Sequence, residues 1–464
     1  MSDDLLLSPA HRLAQAVRSK EVSSVELLDG FVDRIEQINP AINAVVTLDL
    51  ERAREACAAA DEAAARGEWR GPLHGLPVTV KDAIETAGIR STGGAIELTD
   101  HVPAADAPVV AKIKDAGAVV FGKTNLPRWS GDFQTFNEIF GTTNNPWDVS
   151  RVPGGSSGGA AAAVATGLTS FEIGTDIAGS VRGPAHFCGV FGLKPTFGVI
   201  PQRGYLDRVG GGVNDVDINV FGPIARDAAD LDLLLDVLAG PPPEDEMAWR
   251  LELPPPRRAG LSDFRIGVWL DDPACRTGSA VLWVLRSAVD RLADAGAKIE
   301  EAHPAVSMAE QNGLFMSLLT AAVSPSFGSD LGPVLGGSHY DWLHRADDRA
   351  RTRAPWRAWF EEFDLLLCPV MPIEAFPHTQ DGNMMERTLT VDGVERPYLE
   401  CISWVSLVGF TEQPATSVPV GRTEAGLPVG LQIVAGRHRD REAIHAARLV
   451  EEILGGFVPP PMAV

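Results

Sequence analysis

The stretch GTDIAGSVRGPA, residues 174–185, follows a strand predicted at residues 170–173 and contains one serine among small residues. A second glycine-rich segment, PGGSSGG at residues 153–159, lies just before an alanine-rich run. Lys81 lies upstream, near the end of an apolar, strand-like stretch. A serine is a weak nucleophile without a base, and a lysine acts as a base only when burial keeps its amine neutral. The three segments therefore indicate serine-hydrolase chemistry with lysine as the base.

Strand and helix patterns alternate through the middle of the chain. Short apolar runs predict strands, and the segments between them have helical periodicity or alanine runs. An Asp-Gly pair between alternating residues near 388–394 predicts a β-hairpin. This alternation predicts an α/β layered fold. The predicted strands cover residues 78–80, 118–121, 170–173, 265–270 and 363–368, and the predicted helices cover residues 108–116, 159–166 and 281–295.

Two helices are predicted before the first strand. Ser23 and Glu26 have capping-box spacing, and an apolar stripe with helical spacing follows them. Pro40 is expected to end this helix, because proline has no amide hydrogen to donate. A second helix is expected over about residues 48–66, which are rich in alanine, glutamate and arginine. We therefore expect a helical N-terminal part over residues 1–66.

The bulk composition excludes several classes of function. The 464 residues carry a formal net charge of -22, which argues against nonspecific binding to nucleic acid or to an anionic membrane. The start of the chain lacks the pattern of a signal peptide, and no apolar run is long enough to span a bilayer. Five widely spaced cysteines without a CxxC pair predict reduced thiols. We predict a cytoplasmic protein with no nucleic-acid, membrane or metal partner.

The two serine segments have the features of tight loops. The first has the composition of a flexible linker, but an alanine-rich helix is predicted directly after it. Glycine permits backbone conformations that point successive amides at one ligand atom. The amides of residues 177–180 are therefore predicted to converge on one oxygen, as an oxyanion hole requires. Asp176 and Arg182 flank this loop with opposite charges, and either pin the loop or form a structural ion pair.

These motifs resemble the amidase signature family. The resemblance rests on both serine segments and on GVFGLKPT at residues 189–196. It extends to GKTNLP at residues 122–127 and to GLPVGLQ at residues 426–432. It therefore spans most of the chain, and its central motif is highly specific.

The resemblance implies a Ser-Ser-Lys catalytic triad with the spacing of the family, 75 residues from Lys81 to Ser156 and 24 from Ser156 to Ser180. Ser180 would be the nucleophile, Ser156 the proton relay and Lys81 the base. A cis peptide bond between Gly155 and Ser156 is also implied, and no cofactor is implied. The implied oxyanion hole consists of the backbone amides of Ile177, Ala178, Gly179 and Ser180.

The base must lose its charge at neutral pH. A free lysine has a pKa near ~10.4, and burial beside hydroxyls and away from carboxylates would favour the neutral amine. Asp82 would oppose this if it faced Lys81. Because neighbouring strand residues point to opposite faces, Asp82 is expected to point away.

The resemblance implies a single amidase signature domain over residues 1–464, an α/β fold with a large twisted mixed sheet covered by helices on both faces. Residues 67–240 would form the catalytic core. Proline triplets bracket a charged stretch and predict a surface linker over residues 241–262. Residues 263–464 would complete the core and the substrate pocket. The oligomeric state stays open, and a homo-oligomer is one of the alternatives.

Aromatic residues between the two motifs at 122–127 and 153–159 predict an apolar channel for a small-molecule substrate, although core packing would explain them equally well. By analogy with the family, residues 308–329 and the pair at 384–385 are expected to face the substrate. An apolar or aryl amide is favoured, while carbamates and aryl esters stay open because each passes through a tetrahedral oxyanion. The predicted substrate-binding residues are Gly155, Trp129 and Phe133, with Phe136 and Phe140 as further aromatic candidates.

Three departures from the family pattern concern substrate choice and leave the reaction class unchanged. Ala178 stands where glycine is common, and it is expected to narrow the acyl site. Arg128 stands where glutamate is frequent, and Glu412 where smaller residues are usual.

Three other functions are weighed against this one. GAVVFGKT at residues 117–124 fits the phosphate-binding loop pattern, but its middle favours a strand. GGSSG at residues 154–158 fits the nucleophile elbow of α/β-hydrolases, with Asp440 as a late acid and His438 and His445 as late histidines. This interpretation leaves the second serine segment and Lys81 unexplained. The family also includes the subunit that amidates misacylated tRNA. The acidic net charge argues against direct contact with tRNA.

Overall fold

The structure is a computed structural model that describes residues 3–464. No helix in this range has the length and apolar character that a membrane span requires. The helices α1 to α14 are Asp3–Leu6, Ala10–Ser19, Ser24–Ile42, Leu50–Ala65, Pro108–Asp115, Gly158–Ala165, Arg182–Cys188, Ala228–Leu238, Ser279–Asp294, Met308–Val323, Gly328–Gly336, His339–Glu362, Ser403–Gly409 and Asp440–Leu454. The strands β1 to β15 are Val45–Leu48, Pro77–Lys81, Val119–Thr124, Phe136–Asn137, Gly141–Thr142, Glu172–Asp176, Phe191–Lys194, Val220–Ala225, Arg265–Val268, Lys298–Glu301, Leu365–Pro369, Thr388–Val391, Val394–Pro397, Ala415–Arg422 and Pro428–Ala435.

An eight-stranded mixed sheet forms the centre of the fold, in the order β10-β9-β11-β15-β14-β7-β8-β6. β9 pairs in parallel with β10 and β11, and the other neighbouring strands are antiparallel. All residues of β15 are buried. Because alternate side chains point to opposite faces, both faces of the sheet must be covered there, and α7 and α14 contribute to this cover. The predicted α/β class with a large mixed sheet under helices is confirmed.

A smaller three-stranded sheet carries the predicted base. β3 is its middle strand, antiparallel to β1 and parallel to β2. All residues of β2 and β3 are buried. β2 also packs against β6, the strand at the edge of the large sheet. This packing brings the end of the lysine-bearing strand to the strand that leads into the second serine loop.

The predicted helices and strands are present, with boundaries that differ by a few residues. The strand expected at residues 170–173 is β6 and begins two residues later. The expectation that Pro40 ends the first long helix was wrong, because α3 continues to Ile42. Pro40 lies in the last turn, where its missing amide removes only one hydrogen bond from the helix. The helix ends at Asn43, which adopts a left-handed conformation and donates its amide to the Asn39 carbonyl at 2.7 Å.

The proline-rich stretch contains neither helix nor strand from residue 239 to residue 260. The C-terminal end of this stretch binds to α14, because Arg257 Nε donates a hydrogen bond to Glu442 Oε2 at 2.9 Å. Strands from both sides of this stretch share the large sheet, with β6, β7 and β8 before it and β9, β10, β11, β14 and β15 after it.

Candidate active site

Lys81 is the last residue of β2 and is fully buried. Its Nζ donates hydrogen bonds to the hydroxyl oxygens of Ser156 at 2.6 Å, Thr175 at 2.8 Å and Ser157 at 3.1 Å. All three partners are uncharged. The structure therefore brings the predicted base and the predicted proton relay into direct contact.

Burial lowers the pKa of Lys81 well below its ordinary value, and the negative charges of Asp176 and Glu172 partly oppose this shift. Lys81 is therefore buried beside hydroxyls, but two carboxylates act on its charge. Asp82 is turned elsewhere, as expected, because its carboxylate accepts hydrogen bonds from the amide of Thr92 at 2.9 Å and from the Thr92 hydroxyl. Desolvation is thus the main force that favours a neutral amine.

Ser156 lies in a fully buried turn just before α6, and not in a flexible linker. The Gly155–Ser156 peptide bond is cis, as the resemblance implied. A Cβ on Gly155 would lie 2.4 Å from the carbonyl oxygen of Asp132 and 2.7 Å from the carbonyl carbon of Phe133. Only glycine fits at this position, so the predicted substrate-binding residue Gly155 packs closely against the chain that carries Phe133.

A buried ion pair holds the loop that carries Ser180. Arg182 donates from Nη2 to Asp176 Oδ1 at 2.8 Å and from Nε to Oδ2 at 3.0 Å, and both side chains are fully buried. The same carboxylate accepts the amides of Gly179 at 2.9 Å and Val181 at 3.2 Å. Burial alone would raise the pKa of Asp176, but the charge and hydrogen bonds of Arg182 outweigh burial and hold the pKa at about 2. The two predicted alternatives are therefore both present, because the Asp176 carboxylate pairs with Arg182 and also holds the backbone of the Ser180 loop.

The four amides of the predicted oxyanion hole are not equivalent. The Gly179 N–H points at Asp176 Oδ1 and is engaged there. Among residues 3–464, the amides of Ile177, Ala178 and Ser180 have no protein acceptor. These three amides are therefore the candidate donors for a substrate oxyanion.

The two serine loops are joined through the backbone. The amide of Ser157 donates to the carbonyl oxygen of Ser180 at 3.1 Å. Ser180 is 5% exposed, whereas Ser156 and Lys81 are completely buried. The hydroxyls of Ser156 and Ser180 are not hydrogen bonded to each other in the part of the chain that the structure describes. Of the three predicted triad residues, Ser180 is thus the one exposed to solvent, and the predicted relay and base are completely buried.

An apolar cluster borders the Ser180 loop. Ala178 and Phe133 are buried members of it. α10 contributes Phe315 and Leu318, in the segment that the sequence predicted to face the substrate. Trp129 packs beside Gly93 and is not part of this cluster. Further members of the cluster are Ile218, Met371, Tyr398, Ile402, Val405 and Phe410.

Sequence reasoning missed three polar residues around Lys81. Thr175 and Ser157 accept hydrogen bonds from its amine. Glu172 is fully buried on β6 and accepts a hydrogen bond from the Thr79 hydroxyl at 2.6 Å. The available signal was a glutamate within the otherwise apolar run before the second serine motif, because a charged residue in a buried strand requires a partner.

The structure gives the residues of the rival motifs other roles. Lys123 of the phosphate-binding pattern is buried in β3, so the strand predicted for the middle of this motif is confirmed. Asp440 accepts hydrogen bonds from the amide of Thr196 at 2.7 Å and from its hydroxyl at 2.8 Å. His445 lies 3.2 Å from the carbonyl oxygen of Ala259. Asp440 and His445 therefore contact other groups and not a serine nucleophile.

One group of possible metal ligands occurs among the described residues. Side-chain atoms of His11, Asp227 and Asp230 lie within 4.8 Å of one another. Asp230 accepts the amides of Ala10 and His11 at 2.6 and 2.8 Å, and it also contacts His11 Nδ1 at 2.9 Å. These amides begin α2 and have no acceptor within the helix, so helix capping explains the arrangement.

Comparison with known proteins agrees with this fold. The Amidase family model matches residues 26–330 and 335–444. The chain therefore belongs to the amidase family, whose members are enzymes that act on carbon–nitrogen bonds. It is 34% identical over 491 residues to a Glutamyl-tRNA(Gln) amidotransferase subunit from Moorella thermoacetica, with 97% of each chain covered. It is also 34% identical over 475 residues to the protein of that name from Roseiflexus sp., with 93% of each covered.

Solved structures of amidases share the fold. The 6-aminohexanoate cyclic dimer hydrolase in complex with its substrate superposes with a TM-score of 0.82 at 26% identity, covering 99% of this chain and 100% of that one. A bacterial aryl acylamidase of the amidase signature family gives a TM-score of 0.82 at 26% identity and 96% coverage of both chains. The Glutamyl-tRNA(Gln) amidotransferase subunit from Thermotoga maritima gives 0.80 at 25% identity and 98% coverage of both.

Proposed function

We propose that this chain is an amide hydrolase that cleaves a carbon–nitrogen bond by covalent catalysis at Ser180. The observation that carries the proposal is the contact between the buried amine of Lys81 and the hydroxyl of Ser156, 2.6 Å apart. A lysine that burial keeps neutral is a competent general base. The hydroxyl of Ser156 is both donor and acceptor, and can therefore pass a proton from one neighbour to the next.

In the acylation step, the Ser180 oxygen forms a bond to the substrate carbonyl carbon. The Ser180 proton passes to Ser156 as the Ser156 proton passes to Lys81. The candidate amides of Ile177 and Ala178, with that of Ser180, stabilise the negative charge on the former carbonyl oxygen. When the carbon–nitrogen bond breaks, the proton on Lys81 returns through Ser156 to the leaving nitrogen. Ser180 then carries the acyl group as an ester.

In the deacylation step, water takes the place of the amine. Its oxygen forms a bond to the ester carbon, and one of its protons passes through Ser156 to Lys81. When the ester bond breaks, that proton returns along the same route to the Ser180 oxygen, and the carboxylic acid leaves. The same residues and one water molecule complete the cycle, and the free enzyme is restored.

An apolar or aryl acyl group is the favoured substrate class. Ala178 and Phe133 belong to the buried apolar cluster beside the nucleophile loop, and Phe315 of α10 extends it. Such a surface binds apolar groups because binding removes them from water. The charged side chains at its edge pair with each other, since Arg387 Nη1 donates to Asp132 Oδ2 at 2.6 Å. Carbamates and aryl esters with similar acyl groups are alternatives, because they need the same residues.

The names of the sequence relatives favour a second candidate function. All eight relatives that we compared are named as Glutamyl-tRNA(Gln) amidotransferase subunits, with 30–34% identity to this chain. In that role the site would release ammonia from a small polar amide. A net charge of -22 opposes direct contact of this chain with tRNA, so a partner subunit would have to bind the tRNA. The apolar cluster beside Ala178 favours the first candidate.

A hydrolysis screen separates these candidates. The purified protein is assayed with anilides, fatty amides, aryl carbamates, aryl esters and glutamine, and the Ser180→Ala variant measures the background for each. We expect the highest kcat/KM with an apolar or aryl amide. Ammonia release from glutamine as the fastest Ser180-dependent reaction would favour the second candidate. A protein without Ser180-dependent turnover of any class would contradict the proposal.

A further inference from the structure

A buried carboxylate, Glu172, is held by the strand that carries the base. Glu172 lies on β6 and is fully buried. Its Oε1 accepts the hydroxyl of Thr79 at 2.6 Å, and its Oε2 accepts the amide of Ile173 at 3.1 Å. Thr79 and Lys81 are two residues apart on β2, so their side chains leave the strand on the same face. The contact with Thr79 therefore fixes Glu172 on the side of β2 that carries the Lys81 amine.

The charged groups around the face of β2 that carries Thr79 and Lys81 come from a few elements. α6 and β8 also pack against β6, and neither contains a titratable side chain. Asp176 on β6 is neutralised by Arg182, whereas the hydrogen bonds to the Glu172 carboxylate in the described chain come from uncharged donors. Other charged groups lie nearby and have partners of their own. Lys123 on β3 donates a hydrogen bond to Thr86, and Asp82 after β2 accepts one from Thr92. Lys114 pairs with Asp106 beyond Lys123, and Arg34 on α3 donates to the carbonyl oxygen of Thr166.

The charge of the Glu172 carboxylate affects the protonation of the Lys81 amine. Burial raises the pKa of Glu172 to about 7, and the Thr79 hydrogen bond and the positive charge of Lys123 on β3 oppose this shift. Burial lowers the pKa of Lys81, and the negative charge of Glu172 is one of the two charges that oppose this. An ionised Glu172 therefore favours the ammonium form of Lys81, and a neutral Glu172 favours the amine.

Resting on the proposed function, we infer that Glu172 is a positioning residue whose charge state sets the pH range in which Lys81 can accept a proton from Ser156. Glu172 acts through Lys81 and has no contact with the reacting atoms. The interaction is electrostatic, so Glu172 exchanges no proton with the substrate. A neutral side chain of the same shape at position 172 would leave the relay intact and let Lys81 act as a base at lower pH.

The test measures how fast a fluorophosphonate labels Ser180 between pH 5 and pH 10, so it does not depend on the natural substrate. In the Glu172→Gln variant, we expect the midpoint of the acidic limb to move down by about one pH unit, as expected for removing a buried charge near the amine. The rate on the plateau should stay within about threefold, because the triad is unchanged. A midpoint that equals that of the wild type would overturn the inference.

A second pair of variants keeps the inference testable if the glutamine variant does not fold. Thr79→Val removes the hydroxyl that stabilises the carboxylate, so Glu172 stays neutral to higher pH and the midpoint should fall in the same direction. Thr79→Ser keeps the hydroxyl and should keep the midpoint of the wild type. Equal midpoints for the valine and serine variants would also overturn the inference. A wild type that takes up no label at any pH would instead overturn the proposed function.

Discussion

The Nζ atom of Lys81 and the Oγ atom of Ser156 lie 2.6 Å apart, and both side chains are completely buried. The contact joins the end of β2, in the three-stranded sheet, to the turn before α6, a helix that packs against both sheets. In the proposed mechanism, burial favours the neutral amine of Lys81, and the hydroxyl of Ser156 provides the route for the proton. The proposed chemistry therefore depends on the packing of these elements as much as on the residue types.

Replacing the base should change the pH dependence of activity. Lys81 accepts a proton only when it is neutral, and its pKa is lowered by burial, so activity should rise as the pH increases through that lowered pKa. Lys81→Ala should reduce kcat by about 10³-fold or more and should remove this rise. The measurement is kcat/KM against pH for both proteins. A variant with the wild-type profile would exclude lysine as the base.

Breaking the buried ion pair should cost far more stability than breaking an exposed one. Arg182→Leu leaves Asp176 buried and unpaired, and we expect the free energy of unfolding to fall by about 3–5 kcal/mol. The matched control is Arg54→Leu, because the Arg54–Asp29 pair is about half exposed and its loss should cost at most about 1 kcal/mol. Urea unfolding followed by circular dichroism measures both. Equal losses would show that the buried pair does not hold the loop.

Glu412 offers a test of backbone strain against ion pairing. Glu412 is buried, and its backbone adopts a left-handed conformation with φ +71. Its carboxylate contacts Arg353 and lies 3.0 Å from Arg437 Nε. Glu412→Ala and Glu412→Gly both remove the ion pairs, but glycine adopts this backbone conformation without steric cost. The glycine variant should therefore be more stable than the alanine variant by about 1 kcal/mol, as measured by urea unfolding. Alanine as the more stable variant would contradict this account.

Enlarging Ala178 should discriminate between acyl groups by size. Its side chain belongs to the apolar cluster beside the nucleophile loop, so Ala178→Val fills space that a large acyl group would occupy. We expect kcat/KM for an aryl or long-chain amide to fall by about tenfold or more, while that for an acetamide of the same amine changes little. The acetamide is the internal control for folding and for the triad. An equal fall in kcat/KM for both substrates would show that the acyl group does not bind beside Ala178.

The parts of the site that depend on motif were predictable from the sequence. The two glycine-rich serine segments and the lysine-bearing strand follow from local composition, and the contact of Lys81 with Ser156 is where the resemblance led us to expect it. The buried Asp176–Arg182 pair was predictable as a pair because both residues flank one short loop. The α/β class was predictable because strands and helices alternate along the chain, and the large mixed sheet was expected from the family resemblance.

The parts that depend on tertiary packing were not predictable. Glu172 lies close to Lys81 only because β6 packs against β2, and no local pattern links strands that are 91 residues apart. The engagement of the Gly179 amide by Asp176 depends on the exact turn of the loop. Pro40 shows the limit of a local rule, since proline near the end of a helix removes only one hydrogen bond and does not end it.

The central claim is that Ser180 is the nucleophile, and the most direct test is the site of covalent labelling. The wild-type protein and the variants Ser180→Ala and Ser157→Ala are treated with a fluorophosphonate, and the adduct is located by peptide mass spectrometry. We predict one adduct on Ser180 in the wild type and in Ser157→Ala, and none in the folded Ser180→Ala variant. An adduct on Ser156 alone, or continued labelling of Ser180→Ala, would contradict the account.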